Sequence, residues 1–131
     1  MRSRTVNAVL VVLFALTPSA AAVPPPAWVF LGERAVTDRQ DHDNIPVTGQ
    51  RGQFHSIKLA VKVRAVDFHK VVVHFGNGAD FEVELRHTIP AGGESRVIDL
   101  PGDRRNIRSV DFWYDAKSAG KQAVVRLFGV R

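Results

Sequence analysis

The chain has no cysteine among its 131 residues. That excludes disulfide bridges, and it excludes a lipid-bearing cysteine at a cleavage point. There is no G-x-S-x-G, no phosphate-cradling glycine loop, no dinucleotide fingerprint, and no H-x-H or HExxH spacing. The familiar sequence signatures of acyl, phosphoryl and hydride transfer are therefore missing. A small hydrolase using carboxylates from separate strands leaves no such signature, but a domain of this size rarely builds the cleft it needs. Beyond residue 22 no segment reaches the ~20 apolar residues that a membrane span requires.

What is present begins with a leader. Arg2 and Arg4 precede the apolar run Ala8–Leu16, and small residues follow up to Ala20-Ala21-Ala22. That order is a secretory signal peptide over residues 1–22, with an A-x-A cleavage site leaving Val23 first. The expected location is the periplasm or the medium. Val23-Pro24-Pro25-Pro26 then makes a stiff extended linker over 23–27. Residues 28–131 are enough for one domain. Without disulfides, its hydrophobic core must hold it.

The whole chain carries 18 basic and 13 acidic side chains, net +5. Removing residues 1–22 takes two arginines and no acid, leaving 16 against 13, net +3. Acids and bases are interspersed, whereas a nucleic-acid binder shows a one-sided basic stripe. No nucleic-acid partner is expected; weak attraction to an anionic envelope surface is compatible with this balance.

Runs rich in β-branched and aromatic residues alternate with turn residues. They predict strands at 28–36, 45–47, 54–63, 68–75, 79–87, 96–100, 108–115 and 122–130. Eight strands in one small domain point to a single antiparallel β-sandwich, with a jelly-roll-like topology as one possibility. In FHSIKLAVKV, Ile57, Leu59, Val61 and Val63 share one face against Ser56, Lys58, Ala60 and Lys62.

FGNGADF fixes a register. A two-residue Asn77-Gly78 turn would set Phe75, Val73 and Val71 opposite Asp80, Glu82 and Glu84. A three-residue loop with Gly78 left-handed instead pairs Phe75 with Ala79, Val73 with Phe81, Val71 with Val83 and His69 with Leu85. The other face then pairs His74 with Asp80 and Lys70 with Glu84, opposite charges across the ladder. The three-residue loop is the expectation, and it turns His69 toward the core.

Four groups of side chains are candidates for chemistry. In DLPGDRRNIR, Leu100-Pro101-Gly102-Asp103 fits a type II turn. Either Asp103 bonds the turn backbone while Arg104 or Arg105 pairs with Asp99 or Asp103, or Arg104, Arg105 and Arg108 form a fork for a carboxylate, sulfate or phosphate. On the following strand Asp111, Trp113 and Asp115 share one side, opposite Val110, Phe112 and Tyr114. A tryptophan between carboxylates is an arrangement that holds a sugar, and equally one that a loop covers. Asp38, Asp41, Asp43 and Asn44 put four oxygen ligands in seven residues, a weak calcium candidate without EF-hand spacing. Asx turns explain the same loop without a metal, and no cofactor is otherwise expected. A transition-metal site would need His69 to meet His55 or His87.

The strings W-x-x-L-G-E-R (Trp28–Arg34), V-x-F-G-N-G (Val73–Gly78), S-R-V-I-D-L-P-G-D-R-R-x-I (Ser95–Ile107) and L-F-G (Leu127–Gly129) resemble those of a family of small exported bacterial proteins of unknown function. The resemblance implies export and a β-sandwich, and it carries over no catalytic or ligand residue. The expected role is a non-catalytic binding module for a carbohydrate or an anionic envelope component. The alternative is a structural or interaction protein that docks an envelope protein through a sheet edge or face.

Overall fold

The computed structural model describes residues 25, 27–48 and 52–131. The expected signal peptide lies outside the described residues, as does most of the proline linker. Nine strands and one short helix follow in order. They are β1 (Val29–Val36), β2 (His42–Pro46), β3 (Gln53–Phe54), β4 (Ser56–Lys62), β5 (Val66–Phe75), β6 (Asp80–Ile89), β7 (Ile98–Asp99), β8 (Arg105–Asp115), α1 (Ala116–Ala119) and β9 (Ala123–Val130). One sheet runs β1-β9-β4-β7; the larger one runs β2-β8-β5-β6, with β3 also pairing β8. All the pairings are antiparallel. The chain is a β-sandwich.

Alternation drives the packing. β9 reads Ala123, Val125 and Leu127 inward against Val124, Arg126 and Phe128. From the larger sheet Val71, Val73, Val110, Phe112 and Tyr114 meet Leu31, Ile57, Leu59, Val61 and Leu127 of the smaller one. Each such side chain stabilises by ~1.5–3 kcal/mol on full burial. The ninth strand arises because the run 54–63 is not one strand. Phe54 pairs with Arg105 in the larger sheet while Ser56 pairs with Val130 in the smaller, so the chain changes sheets at His55.

The three-residue hairpin is as expected. Phe75 N–H donates to Ala79 O at 2.8 Å, Gly78 N–H donates to Phe75 O at 3.0 Å, and Gly78 has φ +91°. Val73 faces Phe81, Val71 faces Val83, His74 faces Asp80 and Lys70 faces Glu84. His69 departs from the expectation. The register shifts between Phe68 and Lys70 on both flanks of β5, so Phe68 and Val71 both point inward while His69 is exposed. It therefore cannot join a buried histidine cluster. Val63 departs too: it stands beyond the end of β4, at φ +78° and 66 % exposed, rather than on the core face.

Candidate functional site

β8 is flanked by β2 on one side and β5 on the other, and β5 in turn by β6. Register and alternation set three rows of side chains on the outer face of this sheet: His42, Trp113, Lys70 and Glu84; Asn44, Asp111, Val72 and Glu82; Pro46, Ser109, His74 and Asp80. The face is polar except for Trp113, Val72 and Pro46.

Trp113 is half-buried between its neighbours. The His42 ring stacks on it at 4.4 Å with an interplanar angle of 21°, and Lys70 Nζ lies 4.1 Å from its centroid. Because His42 and Lys70 come from opposite flanking strands, both faces of the indole are engaged. The Lys70 cover is weakly held: a cation–π contact at an exposed site is worth ~0.5–1 kcal/mol. Among the described residues the one ion pair of Lys70, to Glu82, is at 4.0 Å.

Asp111, in the next row, organises the face. Its Oδ1 accepts from Asn44 Nδ2 at 2.8 Å and faces His42 Nε2 at 3.2 Å; its Oδ2 accepts from His74 Nε2. His74 Nδ1 donates to Asp80 Oδ1 at 2.7 Å. Burial is the largest influence on Asp111 and pushes its pKa up, but the hydrogen bonds from His74, Asn44 and His42 together outweigh it and hold the carboxyl below its ordinary range. The Asp111 hydrogen bond, then the Asp80 one, raise His74 above its ordinary value against the opposing effect of burial. With both ring nitrogens committed to carboxylates, His74 is held toward its protonated form and aims no lone pair at another neighbour. Ser109, directly opposite it, thus has no general base in this histidine.

The other predicted residues disperse. Asp115 is not part of the Trp113 platform: its side chain accepts from Lys117 N–H and caps α1. Asp41 accepts from Ala116 N–H and Asp43 from Tyr114 Oη–H, while Asn44 lies on the opposite face of β2 from Asp43. Asp38 is exposed. Among the described residues no three His, Cys, Asp or Glu side chains converge as a metal site would. Asp43 and burial, burial foremost, raise the pKa of Tyr114.

The arginines also separate. Gly102 takes φ +81°, as the second central residue of a type II turn requires. Arg105 does not pair with Asp99 or Asp103; its Nη1 donates to Pro101 O at 2.9 Å and its guanidinium lies 3.7 Å from the Phe75 centroid. Asp99 instead accepts from Ser56 Oγ–H at 2.6 Å. Arg104 and Arg105 line one depression and Arg108 a neighbouring one. Arg105 and Trp113 stand eight positions apart on β8, or about 25 Å at ~3.3 Å per residue. The two candidate sites are therefore distinct.

Sequence reasoning found the His74–Asp80 pair but missed Asp111 between His74 and His42. That link needs the β2-β8-β5 order, which no local pattern encodes. A further depression of about 490 Å³ lies at the β6 edge, lined by Glu84, Leu85, Arg86, His87 and Arg96. Its charges partly satisfy one another, Arg86 Nε lying 3.9 Å from Glu84 and Arg96 donating to the Glu84 carbonyl.

Residues 7–129 match the family described as a domain of unknown function, DUF2541. No curated protein matches the chain. Among solved structures, Pseudomonas aeruginosa AlgX superposes with a TM-score of 0.53 at 14 % identity, over 78 % of this chain and 26 % of AlgX. This chain thus spans about a quarter of that protein's length. A family 29 carbohydrate-binding module in complex with cellulohexaose superposes with a TM-score of 0.39 at 15 % identity, over 85 % of this chain and 84 % of the module. At such identity the AlgX likeness shows a shared fold alone, and the weaker superposition carries no functional argument.

Proposed function

Since the chain belongs to the DUF2541 family, whose name assigns it no activity, we propose from its own geometry that it is an exported, non-catalytic module binding carbohydrate on the outer face of the larger sheet. The observation that carries this reading is the row His42–Trp113–Lys70 beside Asn44–Asp111. It sets an aromatic surface next to a rigid bank of donors and acceptors. A pyranose offers the complementary pair, an apolar C–H face and a rim of hydroxyls.

Lys70 is the movable cover. Displacing its ammonium from the indole costs ~0.5–1 kcal/mol, less than the 1.4 kcal/mol that corresponds to tenfold in affinity. Asp111 is pre-oriented by three partners, so little side-chain entropy is lost when a hydroxyl approaches it. A non-catalytic role is supported by His74, whose nitrogens are both committed to carboxylates. Export is supported by the order of charges, apolar run and small residues in 1–22.

Affinity electrophoresis through gels containing neutral polysaccharides tests it. Retardation of the wild-type protein, abolished by Trp113→Ala and kept at high salt, is the expected result. Equal mobility with and without every polysaccharide overturns the reading.

A further inference from the structure

At the hairpin end of β8 lies a depression of about 120 Å³, lined by Gln53, Phe75, Asn77, Arg104, Arg105 and Asn106. Among the described residues its polar side chains are two guanidiniums and three carboxamides, with no carboxylate. Three elements assemble it. β3 places Gln53 opposite Asn106, the β5–β6 hairpin contributes Asn77, and the turn before β8 presents Arg104.

The donors are prepared for an anion. Arg105 is already held in place by the Pro101 carbonyl and the Phe75 ring. A guanidinium has five N–H donors and one such bond leaves others available. Ordering it in advance removes part of the entropy cost of binding. Asn77 Oδ1 accepts from Ala79 N–H at 3.0 Å, which commits its acceptor side and leaves its NH₂ as the available end. Arg104 is exposed, and among the described residues it has no acid partner. Of the nearby carboxylates, Asp80 is occupied by His74 and Asp99 by Ser56, while Asp103, exposed in the turn, does not line the depression.

We propose that this depression binds a single oxyanionic group, a carboxylate, sulfate or phosphate carried on a larger ligand, through Arg104, Arg105 and the amides of Asn77 and Asn106. Bidentate guanidinium contacts recognise that chemistry. Arg108 stands in the adjoining depression of about 390 Å³, which shares Asn106. A ligand with repeated negative charge passes from one to the other. The site is independent of the Trp113 face and of the neutral-sugar reading.

Amide NMR of the full protein, titrated with sodium sulfate, sodium phosphate and sodium glucuronate, tests the proposal. Glucose, and sodium chloride at matched ionic strength, are the controls. The expected result is saturable shifts at Asn77 and Arg104–Asn106 with at least one of the three anions, and none with glucose or chloride. The tightest of the three identifies the group. Arg104→Ala weakens binding by about tenfold, Arg105→Lys also weakens it by losing the planar fork, and Trp113→Ala leaves it unchanged. Shifts that follow ionic strength alone, or the same saturation in folded Arg104→Ala, overturn the site. Failure here is seen at the β8 start and the hairpin, whereas failure of the sugar reading is seen at Trp113.

Discussion

His74 shows how much a single side chain depends on context. Its pairing with Asp80 is visible in the sequence because both lie in one hairpin. Its second partner, Asp111, is 37 positions away and reaches it only through the β5–β8 ladder. A folded-state pKa above the ordinary 6.5 means that protonated His74 favours the fold. That contribution is complete below pH 6.5 and is lost as the pH rises through the raised value. Asp111 runs the other way, its contribution being complete above the ordinary 3.8 and lost as the pH falls through the depressed value. The pair therefore works together between about pH 4 and 6.5. Thermal melts of the wild type should lose stability relative to His74→Asn as the pH rises above 6.5, by about 1 kcal/mol. Parallel curves for the two proteins would show that the pair is not coupled to folding. Val63 offers a change of opposite sign. A β-branched residue at φ +78° is strained, and its exposed side chain contributes little packing. Val63→Gly should raise stability by about 1 kcal/mol in urea titration, and a loss would mean that the side chain matters after all.

Among the elements, those with strict two-residue alternation were legible and those with an irregularity were not. β4 and β9 show their inward faces directly in sequence. β5 does not, because the bulge after Phe68 adds a residue that alternation counts as inward, and His69 was misplaced for that reason. The hairpin register was recoverable because the alternative would have set three apolar residues against three acids. The division of 54–63 between two sheets shows only as a break in parity, Phe54 falling in step with Ser56 and Lys58 rather than with Ile57 and Leu59, and no glycine or proline marks the break at His55. Close packing between elements gives its own test. A Cβ on Gly129 would lie 2.9 Å from both Leu31 Cδ1 and Phe54 Cδ1. Gly129→Ala should therefore destabilise by about 1–3 kcal/mol through overpacking where β9 meets β1 and β3. An unchanged urea midpoint would mean that Leu31 and Phe54 can move apart freely.

For the whole molecule, the strand count, the absence of disulfides and the spacing of turns were enough to reach a sandwich. The sites were legible only as residue types. Asp111 and Trp113 remain together on the outer face, while Asp115 leaves them to cap α1. Arg104 and Arg105 remain together, while Arg108 turns to the next depression beyond a register shift in β8. These outcomes depend on bulges and caps, which decide where a strand's side chains point and which a period-two reading cannot anticipate. The account places sugar contact at Trp113 and anion contact some 25 Å away. Of these the first is the central claim, and tryptophan fluorescence addresses it most directly. In Trp28→Phe protein, Trp113 is the sole emitter. Titrated with neutral oligosaccharides, its emission should change saturably and equally at low and high salt. Emission that stays constant to the solubility limit in folded protein, or changes that salt abolishes, would contradict it.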